Sequence, residues 1–200
     1  MASLGHDSLM PERGGRRNGS SGLVVRECTG LALASVIARR GATARASETA
    51  LAAFGVALPS TPCVALGRGI SFVWTGPGNW LAEADNAPGG IEELLRVFDG
   101  IAAVCEQTDS RVIVEIHGPR VRDVLAKGLP IDLHPSVFRV GDVAVTAVHH
   151  VGVHVRQVAA SPVYRLSVVR SYFGSFWHWL RTSAAEFGYE VLTQAGPPED

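Results

Sequence analysis

Three histidines lie close enough together to invite chemistry. His149, His150 and His154 fall within one short stretch, and the alternation of a strand would send His150 and His154 to the same side. Two imidazoles on one face can hold a metal, but a site needs a third donor and hydrogen-bonding partners behind its ligands. No Asp, Glu or Cys stands in that stretch, and Asp142 is the nearest carboxylate. The reading is therefore partly exposed strand histidines. Asp132 and His134 share a loop bounded by Pro130 and Pro135. They could act as an acid–base pair, although Asp and His in proline loops commonly satisfy backbone groups instead. Lys127 is the only lysine, hence the only candidate for a Schiff base. It precedes Gly128 at an expected helix end, where the helix dipole favours a cation for structural reasons alone.

Other templates are missing. No Gly-x-Gly-x-x-Gly follows a strand and no Gly-x-x-x-x-Gly-Lys-Ser/Thr occurs, so no nucleotide cradle is written. The nucleophile-elbow pattern Gly-x-Ser-x-Gly is also absent. Gly76-Pro77-Gly78-Asn79-Trp80 is glycine-rich, but Pro77 removes an amide donor, and a tight hairpin turn is the better reading. Cys28, Cys63 and Cys105 are odd in number and widely spaced, which reads as thiols in a reducing compartment. No catalytic, cofactor-binding or metal-binding residue is assigned. The aromatics say more. Tyr172 and Trp179 are seven residues apart and share a second face of the last helix, outside the stripe that holds Trp177. They either flank a wide core or anchor a partner. Trp80, beside a turn, has the same two readings. Trp80, Tyr172 and Trp179 are the candidate subunit-interface residues.

The elements that must position these residues come from periodicity. Residues 1–21, rich in Gly, Ser and Arg, read as a disordered tail, and residues 188–200 as a flexible end. Residues 22–187 form the domain, in halves of about 22–105 and 106–187. In the first half Leu31 to Ala38 reads as a buried strand, with a helix as the alternative its alanines allow. Ser47 to Phe54 forms a helix with Ala50, Leu51 and Phe54 on one face and Gly55 near its end. Ile70 to Trp74 and Trp80 to Glu83 form strands on either side of the Gly-Pro-Gly turn. Ile91, Leu94, Leu95 and Phe98 line a second helix, with Gly100 just past it. The second half opens with the strand Arg111 to His117. Gly118-Pro119 then leads into a helix carrying Val121, Val124 and Leu125. Strands follow at Asp142–Val148, Val151–Val155 and Val163–Val169, before a last helix from about Ser171 to Phe187. Strand–helix–strand–strand–helix, used twice, predicts an α+β fold with antiparallel sheets and helices on one side.

Composition sets the bounds. The 200 residues are 46% hydrophobic, enough for a packed core. The charged fraction, 18%, falls below the roughly 25% usual for soluble domains. Uncovered apolar surface kept for an interface would explain that, and so would GC-rich coding. A net charge of −1 and a pI near 6.7 leave no electrostatic footprint for nucleic acid or anionic membrane. Arg16-Arg17 ahead of the apolar run imitates an export signal, but Arg26 and Glu27 interrupt it. No run approaches the ~20 apolar residues of a membrane span. The expected location is the cytoplasm.

Four segments, in order and spacing, resemble the gamma subunits of heterotetrameric sarcosine oxidase. They are Val73-Trp74-Thr75-Gly76-Pro77-Gly78-Asn79-Trp80-Leu81; Gln107-Thr108-Asp109-Ser110-Arg111; Gly118-Pro119 through Lys127-Gly128-Leu129-Pro130-Ile131-Asp132-Leu133-His134-Pro135 to Phe138 and Gly141; and Val169-Arg170-Ser171 leading into Trp179-Leu180. The resemblance implies an aminomethyltransferase-like fold and a structural or assembly role beside alpha, beta and delta subunits. It further implies a complex that oxidatively demethylates sarcosine to glycine, passes the one-carbon unit to tetrahydrofolate and forms hydrogen peroxide. FAD, FMN, NAD and zinc are expected on the other subunits, with no cofactor on this chain. The corresponding subunit of an N-methylglutamate or related dehydrogenase is the near alternative. A free-standing folate-binding protein is the distant one, but its Lys-Gly-Cys-Tyr-x-Gly-Gln-Glu signature is replaced here by Lys127-Gly128-Leu129-Pro130.

Overall fold

The structure, a computed structural model, describes residues 9–15, 21–85 and 90–192. In chain order its elements are β1 (Glu12–Gly14), β2 (Leu23–Glu27), β3 (Leu31–Ala38), α1 (Thr43–Phe54), β4 (Val64–Leu66), β5 (Ile70–Gly76), β6 (Asn79–Asp85), α2 (Gly90–Val97) and β7 (Ala102–Glu106). They continue with β8 (Arg111–His117), α3 (Val121–Ala126), β9 (Val143–Val148), β10 (Val151–Ala159), β11 (Val163–Val169), α4 (Phe173–Ala184) and β12 (Tyr189–Leu192). The chain divides into two compact units. One is Gly30–Ser110 with Gly141–Val145; the other holds the described residues up to Thr29, Arg111–Val140 and Thr146 onward.

The Gly30–Ser110 unit is built on a five-stranded sheet in the order β4-β5-β6-β3-β7, antiparallel throughout. Leu31–Ala38 is a strand, because Ala34 and Val36 alternate into one cluster with Phe72, Trp80 and Ala82 of the neighbouring strands. From the helices, Ala46, Ala50, Phe54, Leu94 and Phe98 complete that core. The rings of Phe54, Phe72 and Phe98 lie 5.7–6.4 Å apart. α1 starts at Thr43, four residues before the expected Ser47, and buries Ala46, Ala50 and Phe54 at a spacing of four. Leu51 therefore falls off the buried face and is 53% exposed, contrary to expectation. Leu95 is likewise outside the core, at 50% exposure, while Leu94 and Phe98 are buried. Gly55 takes φ 74°, a left-handed value open to glycine, and its N–H caps the Leu51 carbonyl at 3.0 Å. Gly78, φ 70°, turns the β5–β6 hairpin as the sequence predicts.

The other unit carries a seven-stranded sheet in the order β1-β12-β2-β8-β11-β10-β9. β12 runs parallel to β2, whereas β1–β12, β2–β8, β8–β11 and β11–β10 are antiparallel. Val25, Val114, Ile116, Leu166, Val168, Val153 and Val155 alternate onto one fully buried face. The helices contribute Val121, Val124 and Leu125 from α3, and Phe173, Phe176, Trp179, Leu180 and Ala184 from α4. α3 packs on α4, and α4 on β11.

The two units repeat one order of elements. β3-α1-β4-β5-β6-α2-β7 is matched by β8-α3-β9-β10-β11-α4-β12. In the sheets, β4-β5-β6-β3 is matched by β9-β10-β11-β8. The closing strand differs: β7 lies directly against β3, whereas β2 is inserted between β8 and β12. The fold is α+β with antiparallel-rich sheets. Each half carries one strand more after its last helix than the pattern predicts. The boundaries also shift: β2, expected in the first half, belongs with the residues that follow Arg111. Two segments expected to be tails contain strands, Glu12–Gly14 and Tyr189–Leu192. Glu12, Arg13 and Gly14 have no apolar alternation to betray them, and β1 is held instead by its pairing with β12 and the Arg13–Glu190 ion pair. The rest of both predicted tails, residues 1–8, 16–20 and 193–200, lies outside the described residues.

Candidate functional site

Of the three candidate interface residues, two are core residues. Trp80 is 2% exposed, and its indole N–H donates to the Pro59 carbonyl at 2.8 Å. Trp179 is 8% exposed and stacks beside Phe176, with ring centroids 5.6 Å apart. Its indole lies over Gly128, so closely that a Cβ built there would stand 2.6 Å from Nε1. Burial corrects both readings, because neither side chain has surface to offer a partner. Tyr172 is different, at 58% exposed. It belongs to a short 3-10 turn, Arg170–Tyr172, that precedes α4, so it shares no helical face with Trp179. Trp177, placed in the core stripe by sequence, is half-buried and meets Tyr189 edge-on at 6.3 Å.

The residues that invited chemistry serve local structure. His149 and His150 are both exposed and form the two-residue turn between β9 and β10, with φ 43° and 73°. His154 lies in mid-strand, so the three do not converge. Its imidazole is pushed down to about 4, first by burial and then by the positive charge of Arg111. Asp132 accepts the backbone N–H of His134 at 2.8 Å, and His134 Nδ1 lies 2.7 Å from Ser136 Oγ, which is the backbone-satisfying alternative. Lys127 Nζ donates to the Ser183 carbonyl near the end of α4 at 2.6 Å, pairs with Glu186 and sits 4.7 Å from the Phe187 ring centroid. The three cysteines form no disulfide. Among the described residues no group of three or more His, Cys, Asp or Glu gathers as a metal site would require. No helix among them is long and apolar enough to cross a membrane.

Sequence reasoning missed the charged face of the seven-stranded sheet. Arg26 and Arg165 both pair with Glu115, at 2.8 and 3.1 Å, across β2, β8 and β11. Register sets Arg26 and Arg165 directly opposite Glu115, and Arg156 opposite Arg165. One step along, Arg111 Nη1 donates to Ser167 Oγ at 3.2 Å, and Ser167 faces His154. Burial alone would raise the Glu115 carboxyl, but the hydrogen bonds and charges of Arg165 and Arg26 outweigh it and hold the group below its ordinary value. The signal was present on β8, where Arg111 and Glu115 are four residues apart and alternate with the apolar Val112, Val114 and Ile116. The arrangement binds strands together; it gathers no nucleophile, base and oxyanion donor around a common point.

The fold is that of an aminomethyltransferase-like α+β chain. Aminomethyltransferase T of the glycine cleavage system from Bartonella henselae superposes with a TM-score of 0.59 at 12% identity, over 86% of this chain and 48% of that one, a likeness of fold alone. More specific matches converge on one family. The family model for the sarcosine oxidase gamma subunit matches residues 39–186. The sarcosine oxidase gamma subunit of an Arthrobacter species is 31% identical over 82% of this chain and 81% of its own length. That of Corynebacterium sp. (strain P-1) is 29% identical over 81% of each. A chain of the heterotetrameric sarcosine oxidase from Corynebacterium sp. U-96, solved with pyrrole 2-carboxylate, superposes with a TM-score of 0.76 at 26% identity, covering 85% of this chain and 87% of that one. The chain belongs to the sarcosine oxidase gamma subunit family.

Proposed function

We propose that this chain is the gamma subunit of a heterotetrameric sarcosine oxidase and contributes framework and contact surface, with no catalytic group of its own. The observation that carries the assignment is the superposition on a chain of such a tetramer over nearly the full length of both. In this reading, oxidative demethylation of sarcosine to glycine, transfer of the one-carbon unit to tetrahydrofolate and formation of hydrogen peroxide occur on alpha, beta and delta companions. Those companions carry FAD, FMN, NAD and zinc. What supports this reading is that the glycine-rich segment is a hairpin turn and that Lys127, Asp132 and His134 are engaged locally.

Co-expression with the alpha, beta and delta subunits tests the assignment. The expected result is one four-subunit peak on size exclusion that oxidises sarcosine, and a separately purified chain that is colourless and inactive. A purified chain that turns over sarcosine or retains a flavin would refute the framework role. A tetramer preferring N-methylglutamate would transfer the assignment to that sister complex.

A further inference from the structure

We propose that the outer edge of β7 takes an added antiparallel strand from a companion subunit, an extended segment that opens with a basic residue opposite Glu106. This rests on the chain's being a subunit of the oxidase.

β7 is the last strand of its sheet and has a strand beside it on one side only. The register fixes which of its groups face out. Gln107 N–H donates to the Leu33 carbonyl and Arg39 N–H to that of Ile101, and both pairs continue the β3–β7 register. Ala103 and Cys105 therefore direct their main-chain groups at β3, while those of Ala102, Val104 and Glu106 point away from it. The Ala102 N–H is taken by the Phe98 carbonyl. The Ala102 carbonyl, both groups of Val104 and the Glu106 N–H have no partner among the described residues. Side chains leave that row open, since Ala103, Cys105 and Glu106 are exposed and Val104 is half-buried. Sheet edges are commonly blunted by a proline, a lysine or a bulge, and Ala102–Glu106 has none of these.

The chain's own repeat points to what belongs there. β12 closes the second half as β7 closes the first, and the outer edge of β12 is covered by antiparallel β1. β1 and β2 both precede the repeated series, and both serve the seven-stranded sheet. No strand among the described residues is left for β7. A row of alternating N–H and C=O groups is matched by another extended main chain, as in strand addition at a sheet edge. Charge favours a companion over a second copy. Glu106 forms no ion pair among the described residues. The exposed Arg39 stands opposite Ile101, about 17 Å along the strand, too far to neutralise it. Two copies of β7 paired about Val104 would set Glu106 against Ala102 and leave the carboxylate uncompensated. A companion strand can supply the cation.

The test is hydrogen exchange on the co-expressed tetramer beside the isolated chain. On assembly the Val104 and Glu106 amides should slow by about tenfold or more, and those of Ala103 and Cys105, already bonded to β3, should change less. Glu106→Pro removes an outward N–H and breaks no bond within the sheet. The isolated variant should keep its fold, while recovery of the tetramer falls about tenfold or more. Glu106→Lys should weaken assembly most at low salt. If the parent chain fails to co-purify with the alpha, beta and delta subunits, the functional reading falls and the docking edge with it. If it co-purifies while the Val104 and Glu106 amides exchange as in the isolated chain, the edge is wrong and the function stands. Amides already slow in the isolated chain that quicken on dilution would assign the edge to a second copy. Quickening on removal of residues 193–200 would assign it to this chain's own end, and either result overturns a companion. Tighter assembly with Glu106→Lys would overturn the basic residue.

Discussion

Trp179 and Gly128 form a matched pair, large against small, and each explains the other. Trp179→Ala should cost about 3–5 kcal/mol, the range for removing a buried aromatic, and Gly128→Ala about 1–3 kcal/mol by overpacking. Urea unfolding of the isolated chain reads both; unchanged midpoints would contradict the stacking. Sequence placed Trp179 with Tyr172 because seven residues make two helical turns. That arithmetic requires both to lie within the helix, and Tyr172 precedes it. Leu51 was misplaced for a related reason, since the true start of α1 at Thr43 rotates the buried face to Ala46, Ala50 and Phe54. His154 yields a prediction with a definite sign. Folded, its imidazole titrates near 4 because of burial and Arg111; unfolded, near its ordinary 6.5. Between those values the unfolded chain takes up a proton that the folded chain refuses, so stability falls as pH drops from 6.5 toward 4. The loss is at most about 3 kcal/mol. Midpoints measured across that window should flatten in His154→Gln, and an unaltered slope would remove His154 from the account.

At the scale of elements, legibility followed burial on one face. β8 and β11 were read to the residue, because Val112, Val114 and Ile116, or Tyr164, Leu166 and Val168, alternate against a single core. β4, β7 and β12 were not read, being short and partly polar or alanine-rich strands whose place is fixed by a neighbour rather than by their own pattern. The β9–β10 hairpin was expected, but not the conformation of its turn. Both His149 and His150 adopt left-handed φ, as a two-residue turn matching the twist of its strands demands, where Asn-Gly is the usual solution. His150→Gly should therefore stabilise the chain by about 1 kcal/mol. A lower melting temperature for that variant would show that the imidazole makes a compensating contact.

At the scale of the whole molecule, the doubled pattern was visible because each half has its own hydrophobic rhythm. The candidate site was not, because exposure of Tyr172 against burial of Trp80 and Trp179 depends on packing between segments distant in sequence. Sheet membership is non-local in the same way. Nothing in Leu23–Glu27 announces that its neighbours are residues 114–117 and 189–192. That insertion of β2 has a bearing on how the polypeptide matures as it leaves the ribosome. Strands β3 to β7 emerge as one nearly continuous stretch and can close their sheet early, whereas β2 must stay unmated on one flank until some of the last described residues have been translated. Pulse-labelled refolding should accordingly show amides of strands β3, β5, β6 and β7 shielded before those of residues 23–27, since distant pairings are slower to form. Simultaneous shielding would mean that the nascent N-terminal strand borrows a temporary neighbour.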